Sequence, residues 1–353
     1  MLTTDAVGGV WRYCLELAAG LTARGADVLL VSMGPRPSPG QRAEVAAICA
    51  LRVTDLPLDW LAETPAQITE AARRLAAIAA EWGADSVHLH TPALVSEARW
   101  PAPVVAVAHS CVGTWWRTMR GDQPVPPDLA WRASATDIGL RNADAVIAPS
   151  RALARDLVAC YGLSRPVHVI HNGRRANPAV SDRRGGALTA GRLWDEAKNI
   201  RVLDDAAARS AFDIGAAGPC AGPNGAVVAC RNLRLLGRLD ETALARAYAS
   251  ARVFVSVARY EPFGLAVLEA AQSGCALVLS DIPTFRELWD GAALFVDPSD
   301  PDAVARALDS AMREPRLADA ARARARAYTA DAMAAATAQL HATLHRAPAL
   351  GTA

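Results

Sequence analysis

At 353 residues the chain exceeds a single ordinary core and suits two domains; its 52% hydrophobic and 21% charged residues are those of a globular protein with sizeable interiors. Thirty-seven basic against 36 acidic residues leave a net charge of +1, which excludes the broad cationic footprint of a nucleic-acid or anionic-membrane binder. Seven cysteines without a repeated C-x-x-C spacing, no apolar run of membrane-spanning length and no basic-then-apolar leader argue against a disulfide framework, structural zinc, an integral membrane segment or secretion, so a cytoplasmic protein is expected.

Residues 1–5 read as the end of a strand that passes through Gly8 and Gly9 into a helix over 10–23; a first strand of normal length would need residues upstream. Strands follow over 28–32, 86–90, 104–109, 145–148 and 167–171, with helical patterns over 66–82, 129–142 and 151–161 between them. Residues 35–40 and 123–127 read as surface loops, and Trp115, Trp116 and Arg117 as a loop after His109. Apolar periodicity lapses over 172–186, where Asn, Gly, Pro, Ser and Arg dominate. The theme then repeats, with strands over 187–190, 212–214, 233–236, 253–257, 276–279 and 293–296. The matching helices cover 200–210, 241–250, 264–273, 302–312 and an Ala/Arg-rich stretch from 317 onward. Alternating strands and helices imply parallel sheets covered on both faces. We expect two similar α/β domains facing each other across a cleft, with ligands beyond the carboxyl ends of the strands.

Four segments carry candidate chemistry. The run 259–269, RYEPFGLAVLE, leaves a strand and opens a helix. Pro262 is compatible with a helix start, Gly264 lets backbone approach a ligand, and first-turn N–H groups point outward. Glu261 would sit in the loop and Glu269 about a turn and a half into the helix. There a carboxylate can accept from two vicinal hydroxyls, as on a ribose; taken singly, a capping acid and a solvated helix residue account for them as well. In the run 189–200, TAGRLWDEAKNI, Arg192 stands at a strand tip and Lys198 just before a helix. Two cations at a helix N-terminus suit a diphosphate, and pairing with Asp195 and Glu196 is the alternative. Lys198 is the only lysine, the other 36 basic residues being arginine. The Gly8-Gly9 turn can bring N–H groups to an anion, or be a plain tight turn. His109, at a strand's carboxyl end, can donate to a sugar hydroxyl or be a satisfied core histidine. His88 and His90 share a strand face, and no third metal ligand accompanies them.

With these residues the chain resembles the retaining GT-B glycosyltransferases of glycosyltransferase family 4. The resemblance spans almost the whole chain: Gly8-Gly9, His109, the Ser150 helix start, His171-Asn172-Gly173, Gly191-Arg192 with Lys198-Asn199, and Glu261 with Glu269 occur in the family's order. The specific part is the Glu-Pro-Phe-Gly-Leu segment. The resemblance implies a GT-B fold: residues 1–172 a Rossmann-like acceptor-binding domain, 173–330 a Rossmann-like nucleotide-sugar-binding domain, and 331–353 a helix crossing back onto the first. It implies that Arg192 and Lys198 hold the donor diphosphate and that Glu269 binds the ribose. Glu261, with the backbone of Phe263, Gly264 and Leu265, would hold the transferred sugar. His109 would stand near that sugar, Gly9 would face phosphate, and backbone around Leu239 would meet the base. Arg174 and Arg175 depart from the pattern, which more often has an aliphatic residue and then an acid.

The expected activity is metal-independent, retaining transfer of a hexose-type sugar from a UDP-, GDP- or ADP-sugar to an acceptor, with no cofactor beyond that co-substrate. Arg192, Lys198 and helix N-termini would stabilise the leaving diphosphate, the work an Asp-x-Asp-held metal does elsewhere. Here Asp300-Pro301-Asp302 is the one Asp-x-Asp and lies far from the motifs. A nucleotide-sugar epimerase or phosphorylase on the same fold, or a non-catalytic binding module, is the alternative. A Rossmann oxidoreductase is disfavoured, because the run 215–222, GAAGPCAG, lacks the G-x-G-x-x-G spacing.

Overall fold

The computed structural model describes residues 1–95, 98–176, 185–223 and 225–346; the stretch 177–184 within the expected break, and 347–353 of the expected last helix, lie outside the described residues. The chain forms two compact units, one comprising Met1–Gly173 with Ala330–Ala353 and the other Arg174–Thr329.

Among the described residues of the first unit, strands β1 (Leu2–Asp5), β2 (Leu29–Met33), β3 (Ala50–Val53), β4 (Val87–Leu89), β5 (Val104–Val107), β6 (Ala145–Ala148) and β7 (Val167–Val169) build one sheet. Its order is β3-β2-β1-β4-β5-β6-β7 and every pairing is parallel. Helices α1 (Gly9–Thr22), α2 (Pro39–Ala46), α3 (Pro65–Trp82), α4 (Val112–Arg120), α5 (Pro127–Asn142) and α6 (Arg151–Tyr161) connect the strands. The central strands are buried on both faces, which is why they read as unbroken apolar runs rather than alternating ones. Short as it is, β1 pairs all four of its residues with β2. Ser150 begins α6 by accepting from the Leu153 N–H at 3.1 Å.

The second unit repeats the plan. Strands β8 (Ala187–Ala190), β9 (Ile214–Ala217), β10 (Arg234–Gly237), β11 (Val253–Ser256), β12 (Ala276–Ser280) and β13 (Leu294–Val296) lie in the order β10-β9-β8-β11-β12-β13, again all parallel. Helices α7 (Ile200–Ala207), α8 (Glu241–Ser250), α9 (Leu265–Gln272), α10 (Pro283–Trp289), α11 (Pro301–Arg313) and α12 (Arg316–Ala325) cover it, and α13 (Ala330–Arg346) belongs to the first unit, where it packs on α1. Each sheet is therefore a Rossmann-like doubly wound sheet. Its strand order reverses between β1 and β4 in one unit and between β8 and β11 in the other, the place where doubly wound sheets in general bind ligands beyond the carboxyl ends of the strands. Among the described residues no helix is long and apolar enough to cross a membrane.

Several local expectations are corrected. Trp115, Trp116 and Arg117 lie in α4, not a loop: the Cys111 sulfur caps its first turn, and only Gly113, Thr114 and Met119 are buried, too sparse an apolar stripe to be read as a helix. The edge strand β3 was not expected; its ALRV sequence is half-exposed, and pairing with β2 rather than its own pattern makes it a strand. The loop expected to run to residue 40 ends at Pro39, where Ser38 and Gln41 form a capping box. The stretch after 317 divides into α12 and α13, because the intervening backbone turns away: the Arg174 N–H donates to the Tyr328 carbonyl, and the Tyr328 hydroxyl to the Leu288 carbonyl.

One buried carboxylate clamps the second unit. Asp204 on α7 accepts backbone N–H groups of Arg231, Asn232 and Leu233 at 2.9–3.0 Å, and the Asn232 side chain as well. Burial alone would raise its pKa, and these hydrogen bonds overcome that and lower it. Its contribution is thus present above the ordinary aspartate pKa of about 3.9 and is lost as pH falls through the lowered value. Asp204→Ala should destabilise the protein by about 3 kcal/mol, since it orphans three backbone donors; the shift of the urea midpoint measures it.

Candidate active site

Of the expected donor-site residues, Arg192, Lys198, Glu261, Phe263 and Gly264 lie on the loops that leave β8 and β11, the two strands at the point of order reversal in the second unit. After β8 the chain passes Gly191 and Arg192 and makes a single 3-10 turn over Glu196–Lys198 before α7. Asp195 caps that turn by accepting from the Ala197 N–H at 3.0 Å. Asn199 then takes a left-handed conformation, φ 57°, the only such non-glycine among the described residues. Its side-chain amide donates to the carbonyls of Val257 and Pro298, and the Arg259 N–H donates to the Ala197 carbonyl at 2.8 Å. These bonds lash the 195–199 turn to the loop after β11.

That loop holds Glu261 between two buried anchors. Tyr260 and Phe263 turn inward, Phe263 meeting Tyr328 edge-on at 5.7 Å between ring centres. Gly264 follows at φ 89°, a conformation a side chain would strain, and a Cβ there would press on Phe285 at 3.1 Å and Val267 at 3.2 Å. The helix α9 starts at Leu265, and its first N–H groups have no carbonyl partner inside the helix.

The consequence is a contact the chain order alone does not reveal. Lys198 Nζ lies 2.5 Å from Glu261 Oε2, with both side chains about a fifth exposed. Lys198 therefore pairs with the carboxylate of the other motif and not with neighbouring Glu196. Its stem passes over Gly191, where a Cβ would come within 3.8 Å of Lys198 Cε. Arg192 is more exposed; its guanidinium pairs with Asp195 at 2.9 Å and lies over the Trp194 ring. The sheet's carboxyl edge is unusually tight beside it: a Cβ on Gly218 would fall 1.7 Å from the Gly191 carbonyl oxygen, so the ends of β8 and β9 approach as only glycine allows.

Glu269 sits on α9 and is not left to water. Arg174 Nε lies 2.9 Å from Glu269 Oε1, and the second acid Glu241 stands 3.8 Å from the same guanidinium. Tyr248, buried nearby, has its phenol pKa pushed well up by burial first and then by the Glu269 charge, so it stays protonated. The departure at Arg174 thus has a physical role, since it supplies the counter-charge of Glu269. Leu239, between β10 and α8, packs part-buried against the same core.

In the first unit, Gly9 is the first residue of α1 and Gly8 precedes it, both exposed. Their loop is set by Asp5, which accepts from the Val7 N–H at 2.7 Å, and by Gln41, whose amide donates to the Ala6 carbonyl. His109 follows β5, which ends at Val107. His109 Nε2 lies 3.0 Å from Nδ1 of His90, so that nitrogen is already engaged. His88 pairs instead with His341 of α13 at 3.0 Å. The two histidines raised as a metal pair therefore face different partners, and no group of three metal-ligating side chains forms among the described residues.

A model of Glycosyltransferase Family 4 matches residues 7–176, and a model of Glycosyl transferases group 1 matches residues 229–328. The chain is a family 4-like GT-B glycosyltransferase. D-inositol 3-phosphate glycosyltransferase of Xylanimonas cellulosilytica is 28% identical to it, over 96% of this chain and 92% of that protein. O-antigen chain mannosyltransferase B of Escherichia coli is 40% identical over 72 residues only, which span 20% of this glycosyltransferase and 19% of the relative. The solved structure of Anabaena HepE in complex with UDP-glucose matches the fold with a TM-score of 0.74 at 16% identity, over 97% of this chain and 99% of that one.

The arrangement also contains what the motifs did not announce. His90, Arg174 and Tyr248 each touch or face an expected site residue. The His-x-His spacing at 88 and 90 was a usable signal for the first. The departure from the family pattern at Arg174 was a signal without a stated role, and nothing local marks Tyr248, because both reach Glu269 from separate segments.

Proposed function

We propose that this glycosyltransferase moves a hexose-type sugar from a nucleotide-sugar donor to an acceptor with retention of anomeric configuration and without a metal ion. The observation that carries the reading is the Lys198–Glu261 pair at 2.5 Å, beside Arg192 and the N-terminus of α9. Breaking the anomeric carbon–oxygen bond puts negative charge on the diphosphate and positive charge on the sugar ring. An ammonium offers three donors, so Lys198 can keep Glu261 and still donate to a phosphate oxygen, while Arg192 supplies a planar fork to another. Lys198 is held by Glu261 and Arg192 is paired with Asp195 before the reaction begins, and preorganised charge is what makes such stabilisation effective. Glu261, held by Lys198, orients the sugar hydroxyls and eases the ring's positive charge. Glu269, held by Arg174, accepts from the ribose. The leaving phosphate takes the acceptor proton on the face it departs from, so no enzyme nucleophile is required. HepE, on the same fold, is solved in complex with UDP-glucose, so a UDP-sugar is the first donor to try.

The test is a melting-temperature panel with UDP, GDP and ADP, then transfer or hydrolysis of the matching sugars. One nucleotide should raise the melting temperature well above the others. Turnover should persist after exhaustive chelation, and the product should keep the donor's anomeric configuration by proton NMR. Activity that vanishes on chelation and returns with magnesium, or an inverted product, overturns the reading.

A further inference from the structure

We propose that His90 is a positioning residue that fixes which nitrogen of His109 carries hydrogen, so that His109 presents Nδ1–H to a substrate oxygen. The proposal rests on the reading that His109 acts on the bound sugar.

His90 and His109 follow adjacent parallel strands, β4 and β5, next to the order reversal between β1 and β4. The 3.0 Å contact joins His90 Nδ1 to His109 Nε2, and a hydrogen bond between two imidazole nitrogens needs one hydrogen, not two and not none. Two assignments satisfy it. If His109 Nε2–H donates, neutral His90 must carry no hydrogen on Nδ1 and must carry one on Nε2. That Nε2 is buried and meets no hydrogen-bond partner among the described residues, so the assignment strands a buried N–H. If His90 Nδ1–H donates, the buried Nε2 is merely an unused acceptor, and His109 carries its hydrogen on Nδ1. Buried orphan donors are rarer than under-used acceptors, which selects the second assignment.

The surroundings hold that choice. Tyr13 packs its ring nearly perpendicular to both imidazoles, 5.1 Å from His90 and 4.6 Å from His109. His88 backs His90 at 4.9 Å and is tied to His341. Burial, reinforced by the His109 imidazole, holds His90 well below the ordinary histidine pKa; burial lowers His109 to about 4, so both rings are neutral near pH 7. In water a free neutral histidine favours hydrogen on Nε2; the His90 bond reverses that preference at His109.

The experiment reads the hydrogen directly. Long-range proton–nitrogen NMR on protein labelled with 15N-histidine, with the His109 signal assigned by its loss in His109→Gln, should show hydrogen on Nδ1 at neutral pH. His90→Asn keeps a donor amide near the Nδ1 position and should retain both the NMR pattern and most of the turnover. His90→Leu should move the hydrogen to Nε2 and lower kcat roughly ten- to hundredfold with donor KM little changed, the range for losing a partner that orients a functional imidazole. Wild-type His109 with hydrogen on Nε2 overturns the proposal, and that measurement needs no variant to fold. So does a His90→Asn variant, folded by its melting curve, that loses as much turnover as His90→Leu. If the hydrogen sits on Nδ1 and moves in His90→Leu while turnover holds, the tautomer assignment stands and the role given to His109 falls.

Discussion

Replacing Lys198 with alanine is expected to leave the fold intact and lower turnover at least about a hundredfold, the scale of losing one preorganised donor at a developing charge. The fold survives because the 195–199 turn is held by Asp195, Asn199 and the Arg259 N–H, none of which uses the ammonium. The loss has two sources. A donor to the leaving phosphate disappears, and the Glu261 carboxylate loses its partner at 2.5 Å and with it a fixed orientation. Lys198→Arg should recover little, because a planar fork cannot serve carboxylate and phosphate from the position of a compact ammonium. Single-turnover rates with the donor found in the nucleotide panel, alongside unchanged far-ultraviolet dichroism and melting, check both statements. Near-wild-type rates in folded Lys198→Ala would remove the proposed mechanism.

Glu269→Ala is expected to act on nucleotide binding rather than on the chemical step. Two ribose hydroxyls lose a charged acceptor, each such hydrogen bond contributing about 1.5–3 kcal/mol, so affinity for the nucleoside diphosphate should fall at least about a hundredfold. The melting increment produced by saturating nucleotide should shrink in proportion. The apoprotein should also melt lower, because the variant leaves the mostly buried Arg174 guanidinium without the carboxylate at 2.9 Å. Glu269→Gln separates the two effects: it keeps the shape and two hydrogen-bonding groups while removing the charge that balances Arg174. Calorimetric titration that finds wild-type affinity in Glu269→Ala would take the ribose away from this carboxylate.

The doubly wound plan was legible in the sequence because central strands of parallel sheets are apolar on both faces, as 104–107 and 276–280 are. Elements whose conformation comes from neighbours were not. The edge strand over 50–53 is ordered by β2, and the residues 215–217, Gly-Ala-Ala, look like no strand until β8 lies beside them. Helix α4 hides behind adjacent tryptophans and a cysteine cap. At the candidate site, the residue types and their chain order were readable, and the GT-B glycosyltransferase family followed from them. The partners were not, since Lys198 meets Glu261 across 63 positions and His109 meets His90 across 19. Arg174 read as an oddity of the linker because the residue it balances lies on a helix nearly a hundred positions on.

The solitary lysine has a practical consequence. An amine-directed acylating reagent finds one side-chain target in the whole protein, and that target is clasped by Glu261 in the proposed diphosphate pocket. The mass added to a single peptide then counts vacant pockets, and the concentration of nucleotide that halves the labelling rate reports occupancy without a coupled assay or a known acceptor.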